Sequence, residues 1–120
     1  MTIKKAYNPE DIADLFLEYI NSANIDGLVS LYEENAVLIK NAENAMANGR
    51  DEIKEFYSIL LADNPKFEKG QQRPAIVNGN IALTSSRLIN GFVTAEVARK
   101  QTDGSWCWFI DQPIIAIEKI

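Results

Sequence analysis

The chain has no histidine among its 120 residues. A Ser-His or Cys-His nucleophile pair therefore cannot form, and no imidazole can hold a metal. Acid–base chemistry would fall to Asp, Glu, Lys or Tyr, with pKa values displaced by burial or by neighbours. Tyr19, Tyr32 and Tyr57 stand on the apolar stripes of predicted helices. A buried Tyr hydroxyl needs a partner: facing a pocket it can orient a ligand or donate to an oxyanion, and facing the core it reaches a backbone carbonyl. Tyr57, beside Phe56, is the best placed of the three for a pocket role. Trp106 and Trp108 lie two apart on a predicted strand and so share one face, as pocket wall, core or interface. No Walker, Rossmann or paired-cysteine motif is present. Neither a cofactor nor a metal is expected.

Composition narrows the class. Residues 1–120 read as one domain, long enough to bury roughly two-thirds of the unfolded surface. A net charge of -5 disfavours nucleic acid, which needs a clustered basic face. No apolar run approaches the ~20 residues of a membrane span, and the first ten residues lack the apolar stretch of a secretory leader. The single Cys107 excludes an intrachain disulfide. A cytoplasmic protein is expected.

The elements follow from spacing. Asn8-Pro9-Glu10-Asp11 opens a helix whose stripe is Ile12, Leu15, Phe16, Tyr19, Ile20 and Ala23. A short second helix runs through Leu28, Leu31 and Tyr32. Ala36–Ile39 reads as a buried strand carrying Leu38 and ending at Lys40. The polar loop 41–48 is a candidate pocket rim. A third helix from Asp51 presents Ile53, Phe56, Tyr57, Leu60 and Leu61 and stops at Asn64-Pro65. Strands over 73–77, 81–89, 92–100 and 105–117 follow, with turns at Asn78-Gly79, Asn90-Gly91 and Asp103-Gly104, and with Pro113 at an edge or bulge. The order is α+β, three helices on one face of a strongly curved, mostly antiparallel sheet.

Three segments carry a resemblance: Ile25–Tyr32 followed by Asn35–Leu38, Gly49–Tyr57, and Val97–Lys100 with Asp103–Trp106. In order and separation they resemble the nuclear transport factor 2-like superfamily, in its SnoaL-like and ketosteroid isomerase-like branches. The resemblance implies a cone enclosing an apolar pocket and a homodimer formed through the outer sheet face. It does not imply one function, since the fold hosts isomerases, cyclases, dehydratases and non-enzymatic domains. Ketosteroid isomerases use an Asp base, with a Tyr and a protonated Asp at the oxyanion. By the matched segments those positions fall here on Lys40, Phe16 and Glu96. Phenylalanine cannot donate and lysine is not a carboxylate base, so that mechanism is not expected.

Lys40 and Glu96 form a candidate pair of their own, lysine as base and glutamate as acid if both are desolvated inside the cone, with help from Tyr57. The alternative places both in water at strand ends. Alternation then sets the lining. If Glu96 points inward, so do Ala98, Thr84, Ser86, Leu88, Trp108, Ile110 and Gln112, while Val97, Arg87, Arg99 and Asp111 face out, barring a bulge. With Phe16, Tyr19, Leu38 and Phe56 from the other elements, this lining suits a small, largely apolar ligand with a few polar atoms. The expected function is a pocket protein, either a cofactor-independent isomerase or lyase or a non-catalytic binding or association domain.

Overall fold

The computed structural model describes residues 3–40 and 45–118. Helix α1 spans Asp11–Asn21 and begins after the Asn8-Pro9 turn, where the Asp11 N–H donates to the Asn8 carbonyl at 3.0 Å. Asp11 and Asp14 sit in its first turn, where the partial positive charge of the helix end favours acids. Asn24 caps α2 (Ile25–Ser30) by accepting from the Gly27 N–H at 2.9 Å. A Cβ on Gly27 would lie 2.7 Å from the Tyr19 ring, so only glycine lets α2 approach α1 this closely. Helix α3, Gly49–Leu60, buries Ile53 and Tyr57 and passes into a 3-10 turn at Leu61–Asp63.

Eight strands form one sheet: β1 Tyr32–Ile39, β2 Met46–Asn48, β3 Gln71–Gln72, β4 Ile76–Asn78, β5 Ile81–Thr84, β6 Ser86–Arg87, β7 Phe92–Lys100 and β8 Trp106–Ile117. Their order is β2-β1-β8-β7-β5-β4, with β6 bonded to β7 and to β3. All these pairs are antiparallel except β1 with β8. The expected α+β class and curved sheet hold.

Several boundaries move, each for a physical reason. Tyr32, expected in the second helix, opens β1 opposite Trp108, because the Trp108 N–H donates to the Leu31 carbonyl at 2.8 Å and draws the chain into the sheet. The strand expected over 73–77 is divided around Pro74, which has no N–H for a ladder. The strand expected over 81–89 breaks at Ser85, whose hydroxyl donates to the Thr94 carbonyl at 2.6 Å. Of the expected rim loop, 46–48 is strand β2, and Asn41–Asn44 lie outside the described residues.

The β7–β8 hairpin turns where Asp103-Gly104 predicts it. Gly104 has φ +86°, and Asp103 Oδ1 accepts from the Ser105 N–H and hydroxyl at 2.9 and 2.6 Å. Further along, Val97 stands opposite Ile110 but Ala98 stands opposite Trp108, so Phe109 is an extra residue on β8. Side chains alternate with period 2, and one extra residue inverts the rest of the strand. Phe109 is held outside beneath the Arg99 guanidinium, 4.1 Å from its ring centroid. Arg99 is itself fixed by Glu33 at 2.8 Å through both Nε and Nη2.

The core lies between the sheet and the helices. Tyr32, Ile12, Ile20, Leu28, Leu38 and Ile53 are its largest wholly buried side chains, each contributing ~1.5–3 kcal/mol of apolar burial.

Candidate functional site

Between α1, α3, the 66–72 segment and the inner faces of β6, β7 and β8 lies a largely apolar cavity of about 670 Å³. Its walls include Phe16, Phe56, Tyr57, Leu88 and Trp108. The rings form one cluster: Phe16 lies 5.7 Å from Trp108 and 6.1 Å from Tyr57, and Phe56 lies 5.1 Å from Tyr57, centroid to centroid.

Two carboxyl groups enter this apolar wall. Glu96 and Asp111 are register partners on β7 and β8, they line the cavity, and they are 7% and 5% exposed. Directly opposed residues on one sheet face have Cβ atoms roughly 4.5–5.5 Å apart, so two full negative charges there would repel strongly in a medium poor in water. Burial pushes the Asp111 carboxyl up to about 8. The neighbouring Glu96 charge adds to this, and the Tyr32 hydrogen bond partly opposes it. Glu96 is also raised by burial, against the pull of hydrogen bonds from Thr94 and Thr84. The Thr84 hydroxyl donates to Glu96 Oε1 at 2.7 Å. Two like acids sharing one site hold one proton between them near neutrality. Hydroxyl donors from Thr84 and Thr94 favour the charge on Glu96, and complete burial favours the proton on Asp111.

Behind Asp111 runs a chain of hydroxyls. The Tyr32 hydroxyl lies 2.6 Å from Asp111 Oδ2, to which it donates when that carboxyl is ionised, and 2.6 Å from the Tyr57 hydroxyl. Burial first, and the Asp111 charge next, hold both phenols well above the usual tyrosine range, so both keep their protons.

The expected site residues separate into two groups. Phe16, Phe56, Tyr57, Ser86, Leu88, Glu96, Trp108 and Gln112 line the cavity, as does Lys40. Lys40 is exposed at the mouth, and among the described residues no ion pair or hydrogen bond joins it to Glu96. The expected pairing of Lys40 with Glu96 is replaced by that of Asp111 with Glu96. Ile110, expected inside, is 40% exposed, because the extra Phe109 inverts β8 at that point. The same inversion brings Asp111 in. Tyr19 is turned away: its hydroxyl accepts from the Lys4 N–H at 2.6 Å and donates to the Lys4 carbonyl at 3.1 Å. Leu38 packs wholly buried in the core rather than on the cavity wall. Asp111 was missed, although one signal existed. An acid directly after the apolar run WCWFI and two residues before Pro113 fits poorly on a regular outer face, so it is a place to suspect a bulge.

No family model matches the sequence, and no curated protein matches it. Solved structures do. A protein from Thiobacillus denitrificans named for the calcium/calmodulin-dependent protein kinase type II association domain superposes with a TM-score of 0.73 at 14% identity, over 93% of this chain and 96% of that one. A ketosteroid isomerase-like protein from Erwinia carotovora atroseptica gives 0.65 at 21% identity, over 85% and 88%. A nuclear transport factor 2-like protein of unknown function from Shewanella oneidensis gives 0.68 at 18% identity, over 85% and 92%. The fold is nuclear transport factor 2-like. Identities this low establish the architecture alone. Within this nuclear transport factor 2-like cone the chemistry rests on the chain's own residues. Among the described residues no helix is long and apolar enough to cross a membrane, and no cluster of three or more acids or cysteines has metal-binding geometry.

Proposed function

We propose that this domain binds a small, largely apolar carbonyl compound and moves a proton on it, as a cofactor-independent isomerase or lyase. The carrying observation is the Glu96–Asp111 pair facing an aromatic-walled cavity. Glu96, held as the carboxylate by two threonine hydroxyls, takes the role of base. Asp111, whose proton burial and the neighbouring charge favour, is the neutral partner of the pair. The pairing of a charged and a neutral carboxyl in one dry site is what proton abstraction next to a carbonyl requires. Lys40, at the mouth, meets the ligand outside this pair.

The test does not need the natural substrate. A panel of cyclic ketones and enones is incubated with the protein in heavy water, and deuterium uptake at the carbon beside the carbonyl is followed by NMR. The wild type should accelerate exchange for the members that fit. Glu96→Gln should lower that rate by on the order of 10²-fold or more, the usual contribution of a positioned base. Equal exchange in the presence and absence of protein would exclude the catalytic reading.

A second reading, an association domain, is favoured by the outer sheet face. Val37, Ile110, Val97, Leu83 and Ile76 are successive register partners across β1, β8, β7, β5 and β4, so they form one apolar row. Leu83 is 46% and Ile76 69% exposed. An apolar row exposed at Ile110, Leu83 and Ile76 and half-buried at Val37 and Val97 is a surface for a partner, and the partner proposed is a second copy of this chain. Light scattering after size exclusion should give the mass of a dimer, and Leu83→Arg should give that of a monomer with little change in monomer stability. A wild-type monomer at ~100 μM would rule the homodimer out. The two readings are compatible, since they use opposite faces of the sheet.

A further inference from the structure

The hydroxyl chain behind the cavity admits two directions, and only one of them leaves a proton for a ligand. Tyr32 has a single hydroxyl hydrogen but lies 2.6 Å from both Asp111 Oδ2 and the Tyr57 hydroxyl. It can donate to only one of them. If Asp111 is a carboxylate, Tyr32 donates to it and Tyr57 donates to Tyr32, so both phenolic hydrogens are spent inside the protein. If Asp111 is a carboxylic acid, it can donate to Tyr32, Tyr32 then donates to Tyr57, and the Tyr57 hydrogen is released. Tyr57 lines the cavity, at 3% exposure, and among the described residues Tyr32 is the only hydrogen-bond partner of its hydroxyl. Phe16 and Phe56, which flank it, offer no acceptor, and among the described residues no hydrogen bond joins Tyr57 to Glu96, so the released hydrogen is free for a ligand atom.

We propose that Asp111 is a positioning residue that sets the direction of this relay, presenting the Tyr57 hydroxyl to a ligand's carbonyl oxygen when it is protonated and withdrawing it when it is ionised. The inference rests on the reading that the cavity holds a small carbonyl compound, and it adds the group that meets the oxygen. No bond other than O–H is made or broken. The two phenolic hydrogens stay on their own oxygens and only turn about the C–O bonds, and the one O–H bond that breaks is that of Asp111, whose proton leaves to solvent on ionisation.

The groups that bear on Asp111 come from every neighbouring element. They are Glu96 on β7, with Thr94 beside it and Thr84 on β5, Tyr32 on β1 and Tyr57 on α3, while α1 presents Phe16. Asp14, Lys40, Lys66, Glu68 and Lys69 stand at the cavity mouth, with Lys69 3.6 Å from Asp14. Glu96 is the one other group that changes charge beside Asp111 in the same wall, so the titration is best read in a Glu96→Gln background.

The probe is 2-acetylnaphthalene, whose fused rings match the aromatic walls and whose carbonyl accepts without titrating. Its dissociation constant and its carbonyl stretch are measured from pH 5 to pH 10, in wild type and in the Glu96→Gln background. At pH 6 the bound stretch should lie below its position in hydrocarbon solvent. Through the pH range in which Asp111 ionises, that displacement should fade and affinity should fall by roughly tenfold, about what one hydrogen bond is worth. Tyr57→Phe, which removes one oxygen and preserves the ring, should bind roughly tenfold more weakly at pH 6, with a stretch that no longer moves with pH. Asp111→Asn should bind independently of pH, which tests the same idea through a second variant. If the stretch and pH profile of Tyr57→Phe equal those of wild type while the ketone still binds, the relay is wrong and the carbonyl-binding reading stands. If wild type binds no ketone at any pH, both fall together.

Discussion

Asp111→Asn should make this protein more stable in alkali, although it removes a buried, hydrogen-bonded side chain. The folded-state pKa of Asp111 is raised to about 8, against roughly 3.9 for an unfolded aspartate. A folded pKa above the unfolded one means that the native state binds more protons than the unfolded state between those two values. Stability from this group is therefore fully present below about pH 4 and is lost as pH rises through about 8. Glu96, raised in the same direction, adds to the loss. Glu33 and Asp103 are displaced downward by Arg99 and Lys5 respectively, so neither contributes to a loss on the alkaline side. By linkage, the wild type should lose on the order of 4 kcal/mol between pH 5 and pH 9. Asparagine cannot ionise, yet it keeps an oxygen to accept from Tyr32. The variant should match wild type within ~1 kcal/mol at pH 5 and exceed it by a few kcal/mol at pH 9. Urea midpoints at pH 5, 7 and 9 decide the matter: a gap in favour of the variant that widens as pH rises supports a neutral buried acid, and parallel curves would refute it.

The second large effect is at Trp108, where the two obvious substitutions should diverge. The indole is 4% exposed and packs against Phe16 and Tyr32, with centroids at 5.7 and 5.4 Å. Truncation to alanine removes these contacts and opens the wall between core and cavity, at a cost of ~3–5 kcal/mol. Yet among the described residues the buried indole Nε1–H has no hydrogen-bond partner, a standing penalty of ~1–3 kcal/mol. Trp108→Phe discards that donor and keeps an aromatic ring in the cluster. The lost ring volume and the removed penalty offset each other, leaving a net change within ~1.5 kcal/mol. Equilibrium unfolding of both variants at pH 6 measures the difference. Equal losses would mean that the Nε1–H has a partner in solution, a trapped water being the obvious one.

Much of this arrangement is legible in the order of residues. The absence of histidine confines any proton transfer to carboxyl, amine and phenol groups before a coordinate is known. Asp103-Gly104 predicts the central turn because the geometry at Gly104 is a local property of that residue. The helix stripes place Phe16, Phe56 and Tyr57 together on the cavity wall, because the 3.6-residue period is set within each helix. Alternation puts Thr84, Glu96 and Trp108 on one face together, inner if Glu96 points inward, and alternation is reliable wherever a strand is regular.

Tertiary structure decided what regularity could not. Whether β8 keeps its phase past Trp108 depends on how β7 meets it. The extra Phe109 is a mismatch in length between two strands, invisible within either. That one residue exchanges Ile110 for Asp111 on the cavity wall, and so replaces an apolar lining by an acid opposite Glu96. Tyr32 presents the same problem. Its local pattern continues a helix, and a single backbone bond from Trp108 to Leu31, 77 positions apart in the chain, makes it the first residue of a strand and the middle of the hydroxyl relay. The sequence determined which groups were available for chemistry. Pairing between distant strands determined which of them lost water, and it is the loss of water that moves their protons.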